Sequence, residues 1–325
     1  ATFKHAPAAL LLPTGYMANL AVLTALAGPG DLVCLDKLNH ASLIDAARAT
    51  GATVRTFPHL HYARLERLLA RCDEATRLAA SPPRPPRRFI VTDTIFSMDG
   101  DAADLPALCD LADQYDATLI VDEAHATGVL GDTGAGLCEA QHVTHRVPIV
   151  VSTASKALGS LGGIVTASQP VIDTLINRAR PLIYTTAVPP AQAAAIGAAL
   201  EVIRDEPWRR QRLAQMSQQL RTDLLNDGWT LSPTDSAITE DNRQSAIGNR
   251  QSPAPIIPLI VQTPERALHL ADHLQRAGFL AVAIRPPTVP PNTARVRLSL
   301  RADLTDDDLA QLRTALARFT PEQDA

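Results

Sequence analysis

The first place where chemistry shows is an apolar run that stops on an acid. Leu119-Ile120-Val121-Asp122-Glu123-Ala124-His125 puts a carboxylate at the end of a buried segment and a histidine three residues later. Alone, this fits an acid capping a strand–helix turn, or a carboxylate turned toward a cationic ligand atom. A metal site is a third reading, but it calls for further His or carboxylate partners at ligand spacing, and none lies nearby. Further along, Val150-Val151-Ser152-Thr153-Ala154-Ser155-Lys156-Ala157-Leu158-Gly159 ends another apolar run in hydroxyls and then presents a lysine. Lys156 alone reads as a solvated lysine or as a phosphate ligand, although no GxxxxGKS/T pattern precedes it. Paired with an acid at the end of an earlier strand, it suits a Schiff-base lysine. Pyridoxal phosphate needs that combination, a lysine for its aldehyde and an acid for its pyridinium nitrogen. Gly159, Gly162 and Gly163 allow close backbone approach to a ligand.

These residues need a scaffold that ends its strands side by side. Leu32–Leu35, Thr53–Phe57, Arg88–Thr92, Thr118–Asp122 and Ile149–Ser152 are short, rich in Val, Ile and Leu, and bounded by turn signals, as buried strands are. Helical patterns lie between them: Tyr16–Ala27, stopped by Gly28-Pro29-Gly30, Ala41–Ala49 before Gly51, and Leu105–Tyr115. This alternation predicts an α/β layered domain with a mainly parallel sheet, in which ligands bind at the carboxyl ends of strands. After Ser168 the texture changes. An Ala-rich helix over Pro189–Asp205 and a second stretch to about Asn226 lead to a smaller α+β domain. Its predicted strands are Ile256–Gln262, Ala281–Ile284 and Ala294–Ser299, and its helices Arg266–Ala277 and Asp306–Arg318, the latter capped by Thr305 with acids at the positive dipole end. The predicted domains are therefore 1–188 and 189–325.

The chain has 325 residues, 46% hydrophobic and 20% charged, and a formal net charge of −4. That composition supports a sizeable core and excludes a disordered chain. The slightly acidic balance argues against a general nucleic-acid binder. No apolar run approaches the roughly 18 residues of a membrane span, and there is no secretory signal. Cys34, Cys72, Cys109 and Cys138 are widely spaced, which predicts reduced thiols in a cytoplasmic protein and no zinc site. Ser81–Pro86 reads as an exposed loop. Asn242-Arg243-Gln244-Ser245 recurs as Asn249-Arg250-Gln251-Ser252, and the segment 235–255 reads as an inserted surface loop without catalytic role. The chain opens at Ala1 and enters an apolar segment at once, which reads as a truncated start.

Gly15-Tyr16-Met17-Ala18-Asn19, Asn39-His40-Ala41-Ser42-Leu43, Phe96-Ser97-Met98-Asp99-Gly100-Asp101, Asp122 to Gly128 and Thr153 to Gly159 follow one another in this order. Together they strongly resemble the α-oxoamine synthases, pyridoxal-phosphate enzymes with the fold type I (aspartate-aminotransferase-like) architecture. The resemblance covers nearly the whole chain apart from the inserted loop. It implies pyridoxal 5'-phosphate as cofactor, with Lys156 binding it covalently and acting as base, Asp122 on the pyridinium N–H, and His125 on the phenolic oxygen. It implies His40 stacked on the ring and near substrate, and Ser97 near the ring. Gly15, Tyr16 and Thr153 would hold the phosphate, the first two through helix N-terminal amides. Arg297 is the implied ligand of the substrate carboxylate, since arginine gives bidentate geometry; Arg285 is the runner-up and Thr288 contacts the acyl substrate. Thr185 and Thr186 would reach a partner subunit's phosphate in a homodimer with active sites at its interface.

The stretch Ala283-Ile284-Arg285-Pro286-Pro287-Thr288-Val289-Pro290 is similar to members that condense L-alanine with a pimeloyl thioester, pimeloyl-CoA or pimeloyl-acyl-carrier protein, in biotin synthesis. Sister enzymes with the same cofactor set stay open as alternatives: glycine C-acetyltransferase, 5-aminolevulinate synthase and serine palmitoyltransferase. A non-catalytic or truncated homologue also stays open, although Lys156 is retained. The resemblance further implies a longer segment ahead of Gly15, carrying an arm and a substrate-contacting arginine. Ala135 and Leu60-His61 depart from the family's usual residues without touching a cofactor position.

Overall fold

The computed structural model describes residues 1–78, 85–232 and 254–319. Most of the Pro-rich stretch 81–86 and of the repeat-bearing segment 235–255 lies outside the described residues. The chain divides into two compact units, Ala1–Ile95 with Ala103–Pro207, and Phe96–Ala102 with Trp208–Ala325. A boundary after 188 was expected; that position lies inside the first unit, whose last helix continues to Asp205.

The first unit is a seven-stranded sheet in the order β1-β7-β6-β5-β4-β2-β3. Its strands are β1 (Ala8–Leu12), β2 (Leu32–Asp36), β3 (Thr53–Phe57), β4 (Arg88–Asp93), β5 (Ala117–Asp122), β6 (Ile149–Thr153) and β7 (Gly163–Ala167). The run β3-β2-β4-β5-β6 is parallel, and β7 is antiparallel to both β6 and β1. The mainly parallel sheet expected from the alternation is present. β7 was not anticipated, because its glycine-led run reads as loop until it is paired.

Around the sheet run α1 (Gly15–Leu26), α2 (Ala41–Ala49), α3 (Tyr62–Leu78), α4 (Leu105–Gln114), α5 (Leu137–Ala140), α6 (Gln169–Arg178), α7 (Arg180–Ile183) and α8 (Pro190–Asp205). One face of the sheet buries Val33, Val91, Ile120 and Val151 against Val22 and Leu43 of α1 and α2. Each fully buried branched side chain there is worth about 1.5–3 kcal/mol. Thr14 caps α1 by accepting from the Met17 amide at 3.1 Å. Thus α1 starts beside the strand ends with free N–H groups behind the cap.

The second unit holds α9 (Trp208–Asn226) and an antiparallel sheet of β8 (Ile256–Gln262), β10 (Ala294–Ser299) and β9 (Val282–Ile284), in that order. Helices Pro264–Arg276 and Asp306–Ala317 pack on it, burying Leu270, Leu316, Leu259 and Val296. Thr305 forms the expected cap, completed into a capping box with Asp308.

Candidate active site

The carboxyl ends of β4, β5 and β6 lie side by side. Asp93 is the register partner of Asp122, and Asp122 that of Val151. Asp122 is buried, with Oδ1 accepting the Ala124 amide at 2.8 Å and Oδ2 accepting Asn19 Nδ2 at 2.7 Å. The chain then turns tightly: Ala126 and Thr127 amides both donate to the Glu123 carbonyl, at 3.0 and 2.9 Å. His125 stands half-buried in this turn. The turn closes on Gly128, at φ +79°, where a Cβ would meet the Cβ of Ala157 at 2.9 Å. Only glycine lets the His125 turn sit this close to the Lys156 turn.

Lys156 is exposed, in the turn after β6. Thr153 ends that strand, its hydroxyl donating to the Gly162 carbonyl at 3.1 Å and lying 2.9 Å from Ser155 Oγ. The first turn of α1 abuts it, since a Cβ on Gly15 would meet Thr153 Oγ1 at 3.3 Å. Tyr16 donates its hydroxyl to Asp45 of α2 at 2.8 Å, and this bond raises the phenol's pKa. What Tyr16 can offer an anion is its backbone N–H. The glycines after Lys156 do not all open toward a ligand. A Cβ on Gly163 would lie 2.2 Å from the Thr14 carbonyl oxygen, so the close approach there is to the chain's own backbone ahead of α1.

His40 is exposed and forms the N-cap of α2: its Nδ1 accepts the Ser42 amide at 3.2 Å and lies 2.8 Å from Ser42 Oγ. Its backbone N–H donates to Asp93 Oδ2 at 2.7 Å. Burial and then the charge of Asp122 push the Asp93 carboxyl well above the usual carboxylate range, against the opposing His40 N–H and Lys156. Asn19 Nδ2 also donates to Ser42 Oγ, at 2.9 Å. Asn19, Ser42 and Asp93 had no role assigned from the sequence. The signal for Asp93 was present, because β4 ends on an acid as β5 does, one residue beyond the predicted strand.

Lys4 anchors the same turn from below. It is buried and donates to Glu123 Oε2 at 2.5 Å, Thr127 Oγ1 at 2.7 Å and the Ala135 carbonyl at 2.5 Å. The other oxygen of Glu123 accepts the Cys138 amide at 2.8 Å. Burial, followed by Glu123, pushes the Cys138 thiol up, which makes it inert. Cys34, Cys109 and Cys138 are buried.

The remaining predicted residues lie elsewhere. Thr185 and Thr186 follow α7, the first half-buried and the second exposed. Ser97, Arg285, Thr288 and Arg297 belong to the second unit. There Arg297 Nη1 donates to the Ser97 carbonyl at 3.0 Å, and burial lowers its pKa. Arg285 and Thr288 are exposed in one turn, with the Thr288 amide on the Arg285 carbonyl at 3.0 Å. Arg295, two residues before Arg297, is fully buried and paired with Asp99.

A sequence profile of the aminotransferase class I and II family matches residues 1–316. The chain belongs to this family. It is 43% identical over 318 residues to the 8-amino-7-oxononanoate synthase of Stutzerimonas stutzeri strain A1501, covering 98% of this chain and 74% of that one. To the synthase of the same name from Nitrosospira multiformis it is 42% identical over 316 residues, covering 97% and 72%. Among solved structures, serine palmitoyltransferase from S. paucimobilis with PLP bound matches with a TM-score of 0.84 at 28% identity, covering 97% of this chain and 73% of that one. The 8-amino-7-oxononanoate synthase of Francisella tularensis matches at 0.78 and 26%, covering 98% and 83%. Within the family, the chain belongs with the 8-amino-7-oxononanoate synthases.

The family's cofactor is pyridoxal phosphate, and the first unit has the chemistry to hold it. A buried carboxylate, a lysine, a strand-end hydroxyl and the N-terminus of a twelve-residue helix share one edge of the sheet. Among the described residues, Asn19 Oδ1, beside Asp122, is buried without a hydrogen-bond partner, an acceptor that a ligand's donor could satisfy.

Proposed function

We propose that the chain condenses L-alanine with a pimeloyl thioester, pimeloyl-CoA or pimeloyl-acyl-carrier protein, and releases 8-amino-7-oxononanoate, CO2 and free thiol in biotin synthesis. The observation that carries this reading is Asp122, buried and held by Asn19 and the Ala124 amide, at the strand end next to the one bearing Thr153 and Lys156. Pyridoxal phosphate, when bound, supplies an electron sink for the α-carbon of the amino acid.

Lys156 would hold the cofactor covalently, and its Nζ would serve as the base that takes the α-proton of alanine. Asp122 would accept a hydrogen bond from the cationic ring nitrogen and keep the proton there. His125 would donate to the phenolic oxygen, and His40 would stack on the ring. The amides of Gly15 and Tyr16, with the Thr153 hydroxyl, hold the phosphate at the positive end of α1. By the resemblance, Ser97 would lie near the ring. Arg297 takes the substrate carboxylate, with Arg285 as second candidate and Thr288 on the acyl chain. The new bond joins alanine's α-carbon to the thioester carbonyl carbon; the thiolate leaves, and the bond to the carboxylate breaks with loss of CO2.

Alanine and pimeloyl chemistry is preferred over the serine reading because the relatives above 40% identity are 8-amino-7-oxononanoate synthases. The active form in this reading is a cytoplasmic homodimer. Exposed Ile183 and Tyr184, at 46% and 72%, and exposed alanines of α8 support a subunit interface on the first unit. No helix among the described residues is long and apolar enough to cross a membrane.

The test is a visible absorption titration of the PLP-loaded chain with L-alanine, glycine and L-serine, followed by pimeloyl thioester and mass spectrometry of the product. Alanine should perturb the spectrum at the lowest concentration and give 8-amino-7-oxononanoate. Lys156→Ala should abolish both the lysine-bound cofactor band and turnover. Turnover in that variant, or preferential use of serine or glycine, would sink the reading.

A further inference from the structure

We propose that Ser42, oriented by Asn19, is a positioning residue that locks His40 in the tautomer carrying its proton on Nε2, so that His40 offers a bound substrate one N–H donor and no acceptor. This deepens the reading above and rests on it for the presence of a substrate at His40.

One hydrogen-bonded chain links Asp122 to His40. Asp122 Oδ2 lies 2.7 Å from the Asn19 side chain. The amide must turn its NH2 group to that oxygen, because its carbonyl would set two acceptors against each other. The same NH2 reaches Ser42 Oγ at 2.9 Å. An amide NH2 only donates, so it occupies a lone pair of Oγ and leaves the hydroxyl hydrogen to point elsewhere. Its partner is His40 Nδ1, at 2.8 Å. The Ser42 backbone N–H, which also only donates, reaches the same nitrogen at 3.2 Å. Two donors on Nδ1 require it to be the acceptor, and the ring proton then sits on Nε2.

The capping role and the ligand role of His40 are therefore compatible. Nδ1 serves the helix and Nε2 stays available. The imidazole is held at its base as well, through the His40 backbone N–H on Asp93 Oδ2. Asn19 Oδ1, left without a partner in this arrangement, is the cost of aiming the NH2 group at both acceptors. Asp122 and His40 are thereby linked through side chains of two helices.

The experiment is long-range 1H–15N correlation NMR on the full chain labelled with 15N-histidine, the His40 signals assigned by their loss in His40→Gln. His40 in the unsubstituted chain should show a protonated Nε2 and an unprotonated Nδ1. Ser42→Ala removes the 2.8 Å hydroxyl contact and leaves only the longer 3.2 Å backbone bond on Nδ1, so it should move His40 toward a mixture of tautomers, and Ser42→Thr, which keeps the hydroxyl, should restore the single form. In the PLP-loaded chain, Ser42→Ala should weaken L-alanine binding about tenfold, the worth of one well-placed hydrogen bond, while Ser42→Thr does not and PLP affinity is unchanged in both. A protonated Nδ1 in the unsubstituted chain overturns the proposal, as does a Ser42→Ala variant with an unchanged tautomer. The tautomer is read without cofactor, so failure of the chain to bind PLP or alanine would count against the proposed function alone.

Discussion

Burial and the neighbouring Asp122 hold the Asp93 carboxyl well above the usual carboxylate range. Its raised folded-state pKa means the folded chain keeps a proton that the unfolded chain gives up. Stability is then fully present below the ordinary aspartate value of about 3.9 and is lost as pH rises through the raised folded value. Asp93→Asn keeps an acceptor for the His40 N–H and removes the charge beside Asp122. The cofactor-free variant should melt at the same temperature as the parent near pH 4 and about 2–4 °C higher at pH 8, a shift expected for about 1 kcal/mol in a unit of this size. Equal melting differences at both pH values in a calorimetric series would contradict the assignment. At this scale the placement of Asp122 at the end of one strand and of Lys156 just after the next was readable from the sequence. The roles of Asn19, Ser42 and Asp93 were not, although all three sit in or beside motifs already picked out.

At the scale of elements, the turn after β5 depends on a cation far away in sequence. Lys4 Nζ is the buried partner of Glu123, 119 residues on. Lys4→Met should destabilise the first unit by about 3–5 kcal/mol, the usual effect of leaving a buried charge uncompensated. Lys4→Met combined with Glu123→Gln should recover most of that loss, because the remaining buried group is neutral. Denaturant titrations of the two single variants and the double variant measure the coupling. A double variant no more stable than Lys4→Met would show that packing, not charge, is what Lys4 contributes. Strand ends were the most legible feature here. β2, β4, β5 and β6 are apolar runs that end on a polar residue, so their carboxyl ends are marked in the sequence even where the boundary shifts by one residue, as at Asp93 and Thr153; β3, Thr-Val-Arg-Thr-Phe, carries no such mark. β7 was not legible, because its Gly163 carries a close approach to Thr14 that only the fold reveals.

The 34.7 kDa chain should sediment at about twice its mass if the exposed apolar surface around Tyr184 and α8 meets a second copy, as exposed patches of this kind do. Ile183→Glu with Tyr184→Glu should shift it to the monomer mass. A monomeric parent at micromolar concentration in analytical ultracentrifugation would refute the dimer.

Pattern and order alone determined the alternation of strands and helices, the acid and the lysine at neighbouring strand ends, and through the ordered motifs the cofactor and the family. Such features are local: periodicity, turn residues and the residue that ends each strand are all read within a few positions. Tertiary structure decided the rest. It placed 96–102 with the second unit, where Arg297 meets the Ser97 carbonyl. It joined Asn19 to Asp122 across 103 residues of chain. It turned a helix-capping histidine into a ring with a defined tautomer. These are hydrogen bonds between segments whose proximity depends on strand order and on which helix covers which strand end, and neither is encoded in the spacing of residues along the chain.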